Sequence, residues 1–206
     1  MIYFKSASFV FGHTTVFEDV NLQFNSTTIY YIDGKNGAGK TTFLEAAAGL
    51  RSLSAGTLSI DTVVARYYLG HRCGLSMQLS PRENLRFLMA SASRNRTKPS
   101  NKSLMDALSY FSLAPIADVP SRQLSAGQKR KVLLSSLLLS DANALLLDEP
   151  YNALDESSCT RLNSILNEKR NNGCMILLTS HNLPALADMK HLHLKDGTFT
   201  SSGGSD

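Results

Sequence analysis

The chain has 206 residues, with 21 Lys and Arg against 17 Asp and Glu, which gives a formal net charge of +4. Hydrophobic residues make up 43% of it, enough to bury the core of one domain, and this excludes a disordered or fibrous chain. No apolar run approaches the roughly 18–20 residues of a membrane span, and the three cysteines lack C-x-x-C spacing, so neither a membrane anchor nor a disulfide framework is expected.

The first third of the chain predicts strands on either side of one glycine-rich turn. The strands are indicated by apolar and polar residues that alternate, with many aromatic and β-branched side chains among them. A run of helix formers after the turn ends at Gly49, which is typical of a helix C-terminus. The predicted strands are 2–10, 16–24, 27–32, 57–60 and 65–69, and the predicted helix is 41–48.

The middle of the chain predicts a small group of helices. A Ser-x-x-Glu capping box with Pro at the first helical position occupies residues 80–83 and predicts a helix over 81–90. Residues 91–102 are polar and basic without apolar periodicity, which favours a mobile loop. Apolar residues at helical spacing within 104–111 predict a second helix. Together these features indicate a helical insert over about 72–122.

Strands and helices alternate in the remainder of the chain, which predicts a parallel α/β sheet. The predicted helices are 126–139, 155–170 and a short one at 183–189, and the predicted strands are 144–147, 175–179 and 191–194. Residues 1–200 are therefore expected to form a single domain, whose core comprises 1–71 and 123–200. The Ser/Gly-rich residues 201–206 predict a disordered tail.

Residues 34–41 match the phosphate-binding pattern G-x-x-x-x-G-K-[ST], placed between an apolar strand and a helix. Glycine lets the backbone curl until successive N–H groups converge on a phosphate, and the helix N-terminus adds its dipole. Lys40 is expected to reach the terminal phosphates, and the Thr41 hydroxyl to coordinate Mg²⁺. The pattern alone leaves kinase, GTPase and ATPase open. The predicted nucleotide-binding residues of this segment are Gly34, Lys35, Asn36, Gly37, Ala38, Gly39, Lys40, Thr41 and Thr42.

Two adjacent acids, Asp148 and Glu149, follow the apolar strand predicted over 144–147. A carboxylate at the end of a buried strand can orient a Mg²⁺ shell, so Asp148 is a predicted metal ligand together with Thr41. Glu149 is then placed to polarise an attacking water as general base. Taken alone, such a pair is ordinary, because Asp also caps helices.

A third segment distinguishes among the kinase, GTPase and ATPase alternatives: Leu124-Ser125-Ala126-Gly127-Gln128. It resembles the L-S-G-G-Q signature of the ATP-binding cassette (ABC) ATPases, with Ala126 in place of the first glycine. In that family the signature meets the γ-phosphate bound on the opposite subunit. The resemblance therefore implies that Ser125, Gly127 and Gln128 bind nucleotide across a head-to-tail homodimer. Ser125 also fits a plain helix N-cap, and the two roles are compatible.

Two further segments resemble the same family. Residues 152–155 are similar to its D-loop, and His181 is similar to its switch histidine, which contacts the γ-phosphate. The resemblance implies an α/β P-loop NTPase fold of ABC type, with a mixed central sheet, an N-terminal antiparallel β part and a small helical subdomain. It also implies hydrolysis of ATP with Mg²⁺, in which Lys40, Glu149 and His181 are catalytic.

His71 and Phe11 are further predicted nucleotide contacts, each with a competing interpretation. His71 stands where the family usually carries Gln, at the junction with the helical subdomain. Its imidazole can hydrogen-bond the Mg²⁺-bound or attacking water, or it contributes no chemistry. Phe11 resembles the aromatic residue on which adenine stacks in this family, and a core Phe is the competing interpretation.

The stretch Tyr68-Leu69-Gly70-His71 and the L-S-A-G-Q signature are similar to the CcmA subfamily, the ATPases of cytochrome c maturation (haem exporter) systems. This resemblance implies integral membrane partners of the CcmB type, with CcmC and CcmD, and release of a haem-loaded chaperone. It also implies a peripheral position on the cytoplasmic face of the inner membrane, or on the matrix side of the mitochondrial inner membrane. A drug, lipid or metal exporter is the alternative, since the membrane partner chooses the cargo. Neither a long coiled coil nor a second cassette is present in this sequence, so no nucleic-acid partner is expected.

Overall fold

The structure, a computed structural model, describes residues 1–71, 74–92, 98–181 and 183–202. Within these residues the strands form two sheets, of which the smaller is entirely antiparallel. Its strands are β1 (Ile2–Phe11), β2 (Thr14–Phe24) and β4 (Ala55–Ile60). β1 lies in the centre and pairs with both neighbours. This is the predicted N-terminal antiparallel part of the fold.

The larger sheet carries the phosphate-loop candidate and the two predicted acids at the carboxyl ends of its strands. Its strands are β3 (Ile29–Asp33), β5 (Arg66–Leu69), β6 (Ala144–Leu147), β7 (Met175–Thr179), β8 (Met189–Lys195) and β9 (Thr198–Ser202). They lie in the order β5-β6-β7-β3-β8-β9, with parallel pairing from β5 to β8 and antiparallel pairing of β9 with β8. The sheet is mixed, as predicted, and the carboxyl ends of β6, β7 and β3 lie side by side, where ligands bind in parallel α/β sheets.

Helices and the small sheet cover the two faces of the large sheet. The helices are α1 (Lys40–Ala48), α2 (Pro81–Ala92), α3 (Asn101–Tyr110), α4 (Ala126–Leu139) and α5 (Glu156–Asn171). Alternate residues of β6 face opposite ways: Leu146 packs with α1 and the small sheet, and Leu145 packs with the other helices. Because both faces are buried, all residues of β6 are apolar.

The helices α2 and α3 lie between β5 and β6 in the chain, within the predicted insert. Their buried side chains join the same apolar cluster as β6 and α4, so they pack onto the core. The buried Asn84 amide donates to Ser76 O (3.0 Å), Leu79 O (3.1 Å) and Ser121 Oγ (3.0 Å), which joins the loop before α2 to the approach to α4. Within the described residues, no helix has both the length and the apolar character that crossing a bilayer requires.

The short helix predicted over 183–189 is wrong. Residues 183–188 have no helical backbone, and β8 begins at Met189. Of the two leucines that would pack such a helix, Leu186 is buried but Leu183 is exposed. The segment therefore offers no continuous apolar stripe that would pack a helix onto the core.

Two segments predicted to be irregular are partly regular. The helix α2 continues to Ala92 and α3 begins at Asn101, so the loop predicted over 91–102 is wrong at both ends; residues 93–97 lie outside the described residues. The predicted tail begins within β9, where Ser201 pairs with Leu192, and its residues 203–206 lie outside the described residues. Pairing uses the main chain, so Ser-rich composition does not prevent it.

Candidate functional site

The phosphate-loop candidate connects β3 to α1, and its backbone requires glycine at two positions. Gly34 has φ +146°, and a Cβ there would lie 2.4 Å from Leu194 O. Gly39, with φ +105°, is the N-cap residue of α1, and its Cβ would lie 2.4 Å from Val16 Cγ1. No side chain of the described residues caps this helix, so its first N–H groups are available to an anion.

The ammonium of Lys40 lies inside this loop. Its Nζ donates to Gly34 O (2.6 Å) and Lys35 O (3.1 Å), and the residue is buried. The positive charge of Lys40 is thus surrounded by loop backbone, and few bulky side chains lie around it. The role of Lys40 in binding phosphate stays a prediction.

Two hydroxyl groups converge on the carboxylate of Asp148, at the end of β6. Thr41 Oγ1 donates to Asp148 Oδ2 (2.8 Å), and Thr179 Oγ1 donates to Asp148 Oδ1 (2.8 Å). Asp148 is only 1% exposed. A carboxylate and a hydroxyl beside the phosphate loop are the hard oxygen donors that Mg²⁺ takes, so Thr41 and Asp148 fit this ion. Sequence reasoning missed Thr179, although it ends an apolar strand beside β6.

Glu149 lies directly after Asp148 in a strained backbone conformation, with φ +51°. Its N–H donates to Thr179 Oγ1 (2.9 Å). Its carboxylate Oε2 lies 2.9 Å from His181 Nε2 and accepts from Asn152 Nδ2 (3.1 Å). The side chain of Glu149 is 13% exposed and that of His181 49%. The two residues predicted from separate motifs therefore meet in one cleft, where a carboxylate is held by two neighbours.

Arg130, which sequence reasoning also missed, lies beneath these acids. Its guanidinium donates to the carbonyl oxygens of Asp148 (2.9 Å), Glu149 (2.8 Å), Pro150 (3.3 Å) and Gly70 (3.0 Å). A signal was present, because position 130 shares a helical face with the leucines at 133, 134 and 137, all of them buried. A charged residue on the buried face of a helix is unusual and indicates a specific set of partners.

The signature-like segment begins α4, with Ser125 as its N-cap. Ser125 Oγ accepts from Gln128 N (3.1 Å), and Gln128 Oε1 accepts from Ser125 N (2.9 Å), which forms a capping box. The Gln128 side chain is therefore engaged with its own helix end, and the exposed Ser125 hydroxyl can still donate. A Cβ on Gly127 would lie 2.7 Å from Ala153 O, so glycine here lets α4 pack against the D-loop candidate.

The D-loop candidate ends at Asp155, which caps α5. Asp155 Oδ1 accepts from Ser158 N (2.8 Å), and Lys131 Nζ donates to Asp155 Oδ2 (2.6 Å). The hydrogen bond from Lys131, with those from Ser157 and Ser158, holds the pKa of this carboxyl well below its usual range. A second cation of α4 thus contacts the segment that follows Glu149.

Phe11 and His71 lie at the borders of this site. Phe11 is 71% exposed at the end of β1, so the interpretation as a core residue is wrong. His71 lines a cavity of about 640 Å³ together with Thr41 and Asp148. Tyr68 lines it too, and burial, followed by the charge of Asp148, raises the pKa of its phenol, which stays neutral.

The chain is similar in sequence to one family of known proteins. The family model described as ABC transporter matches residues 17–152. The cytochrome c biogenesis ATP-binding export protein CcmA of Methylococcus capsulatus is 37% identical, over 89% of this chain and 92% of that protein. The CcmA proteins of Saccharophagus degradans and Vibrio cholerae are 35% and 32% identical, over 84% and 91% of their own lengths.

Solved structures show the same fold. A bacterial ABC transporter cassette, solved as a dimer, superposes with a TM-score of 0.86 at 21% identity over the full length of both chains. The ATP-binding subunit of an ABC transporter superposes with a TM-score of 0.83 at 24% identity, over 98% of this chain and 90% of that one. With the family model and the curated relatives, these findings place the chain in the ABC transporter family, as an ATP-binding ATPase subunit of the CcmA type.

Proposed function

We propose that this chain hydrolyses ATP as the energy-supplying subunit of a cytochrome c biogenesis export complex. The observation that carries the ATPase part is the convergence of the phosphate loop, Asp148, Glu149 and His181 at the carboxyl edge of the large sheet. The biogenesis part is supported by the names of the CcmA relatives, which share 32–37% identity over most of the chain. An exporter of drugs, lipids or metals is the alternative for the cargo.

The nucleotide is held by the loop over residues 34–42. Its backbone N–H groups and the N-terminus of α1 bind the phosphates, and the Lys40 ammonium turns from the loop carbonyls toward the terminal phosphates. Thr41 and Asp148 hold Mg²⁺, which supplies charge stabilisation at the phosphate oxygens. Phe11, exposed at the end of β1, stacks on adenine.

Glu149 is the general base of hydrolysis. The oxygen of a water attacks the γ-phosphorus as the bond to the β,γ-bridging oxygen breaks, and the water's proton passes to the Glu149 carboxylate, which leaves ADP and phosphate. His181, 2.9 Å from that carboxylate, orients it and contacts the γ-phosphate. His71 lies in the cavity beside Thr41 and Asp148 and hydrogen-bonds water there.

The site is completed by a second copy of the chain in a head-to-tail homodimer. The exposed Ser125 hydroxyl and the N–H groups around Gly127 meet the γ-phosphate bound on the partner subunit. Gln128 acts there through the cap, since its side chain binds Ser125 N. The dimeric form of a structurally similar cassette supports this arrangement.

The dimer binds integral membrane subunits, of the CcmB type with CcmC and CcmD, on the cytoplasmic or matrix face of the membrane. The helical insert over about 72–122, with α2 and α3, provides the contact to them. Hydrolysis then drives release of a haem-loaded chaperone. No nucleic acid takes part.

Purification from membranes tests this assignment. The tagged full-length chain, extracted from its native membranes in a mild detergent, is expected to bring down a CcmB-type integral membrane protein, identified by mass spectrometry. Cells that express the tag alone give the background. Recovery of a drug, lipid or metal permease in place of the CcmB-type protein would overturn the cargo assignment and leave the ATPase assignment standing.

A further inference from the structure

A single buried side chain joins the signature-like helix to the loop that carries the general base. Arg130 is 7% exposed and lies in the second turn of α4. Its guanidinium binds three successive carbonyl oxygens, those of Asp148, Glu149 and Pro150, and a fourth, that of Gly70, beside His71. Segments that are far apart in the chain therefore meet at one planar cation.

The backbone of Glu149 needs this support. With φ +51° the residue is in the left-handed region, which costs a non-glycine residue about 1 kcal/mol or more and persists only where its neighbours hold it. The neighbours hold both ends of the residue: Thr179 Oγ1 accepts from its N–H, and the Arg130 guanidinium donates to its carbonyl oxygen. The direction of the Glu149 side chain follows from this backbone.

We infer that Arg130 is a positioning residue for the Glu149 carboxylate, and that it makes α4 and the loop over 148–150 one rigid unit. Two neighbouring contacts support the same unit, the close approach of Gly127 to Ala153 O and the ion pair of Lys131 with Asp155. The helix α4, whose N-terminus contacts the nucleotide bound on the partner subunit, therefore moves together with Glu149, which acts on the nucleotide bound to its own chain. This inference rests on the proposed role of Glu149.

The guanidinium is suited to this task in a way that an ammonium is not. Arginine presents five N–H donors in a flat fork, so it can bind several carbonyl oxygens spread across two loops. Lysine carries its charge at one point and can reach fewer of them. Arg130→Lys is therefore expected to keep the charge and part of the geometry, and Arg130→Gln to lose both.

The test measures binding and turnover separately on the purified full-length chain. For Arg130→Gln we expect an ATP dissociation constant within about twofold of the wild type and a kcat about 100-fold lower, the cost of a reacting group misplaced by about 1 Å. Arg130→Lys should fall between, about 10-fold down in kcat, with KM for ATP unchanged. Arg66→Gln is the control for losing a hydrogen bond from a guanidinium to a carbonyl away from the acids. Arg66 is an exposed residue at the start of β5, and its guanidinium donates to Ala47 O (3.2 Å).

Two results would overturn the inference. One is a folded Arg130→Gln chain with the kcat of Arg66→Gln; the other is a loss of ATP affinity as large as the loss of kcat, which indicates a general structural role. If Arg130→Gln does not fold, Arg130→Lys decides by the same criteria. Failure of the proposed function itself is distinguishable, since Glu149→Gln would then keep its turnover. If the proposed role of Glu149 and the inference about Arg130 both hold, the double variant Arg130→Gln/Glu149→Gln has the same kcat as Glu149→Gln alone.

Discussion

Glu149→Gln is expected to lower the kcat of ATP hydrolysis by about 10²- to 10⁴-fold, the contribution typical of a general base, while ATP still binds. The amide keeps the size of the side chain and one oxygen for His181 and Asn152, but it cannot accept the proton of the attacking water. Turnover is measured by phosphate release, and binding by equilibrium titration with ATP at a temperature where hydrolysis is slow.

The matched control for this substitution is Glu168→Gln, which makes the same change at an exposed position of α5 and should keep full turnover. The assignment of the base is contradicted if Glu149→Gln hydrolyses ATP at the rate of the control. It is also contradicted if ATP binding is lost along with turnover, because the Glu149 carboxylate would then contribute to binding ATP in the ground state and not to the chemical step.

Asp148→Asn is expected to raise the Mg²⁺ concentration needed for half-maximal hydrolysis by at least the roughly 10- to 100-fold that losing a metal site's supporting group costs. The carboxylate accepts hydrogen bonds from Thr41 and Thr179 at once. An asparagine accepts only one of them. Its NH₂ group can donate to the other hydroxyl, whose own proton then loses its acceptor. In a site that is 1% exposed, the unmatched group should also lower the free energy of unfolding by about 1–3 kcal/mol.

Asp118→Asn provides the comparison for that variant, because Asp118 pairs with Arg82 at an exposed position far from the phosphate loop. The Mg²⁺ titration and a urea unfolding curve are measured for both. An unchanged Mg²⁺ requirement in Asp148→Asn would remove Asp148 from the metal site. An unchanged free energy of unfolding in Asp148→Asn would contradict the account of its buried hydrogen bonds.

The parts of the site that the sequence predicts are those in which a local pattern has a local cause. Gly34 and Gly39 adopt backbone conformations that other residues strain, and Ser125 with Gln128 closes a capping box within one helical turn. Asp148 and Glu149 meet Thr41 and His181 because the carboxyl ends of neighbouring parallel strands share one edge of the sheet.

The parts that the sequence does not predict depend on contacts between distant segments. Thr179 and Arg130 hold the acids. The helical face of Arg130 indicates that it has buried partners, but which partners these are follows only from the packing of β7 and α4 against β6. The helix predicted over 183–189 is absent, because the exposed Leu183 leaves that segment without a continuous apolar stripe to pack on the core. The roles of all these site residues, with those of Phe11 and His71, stay predictions.

In the proposed dimer, two copies of this chain enclose ATP between the phosphate loop of one and the α4 N-terminus of the other. Sedimentation of Glu149→Gln with and without ATP tests it most directly, alone and combined with Ser125→Asn or Ser125→Asp. Both replacements can cap α4, but the aspartate places a negative charge against the γ-phosphate. We predict an ATP-dependent dimer for Glu149→Gln and its Ser125→Asn form, and a monomer with ATP bound for the Ser125→Asp form. A monomer throughout, or a dimer that tolerates Ser125→Asp, would contradict the claim.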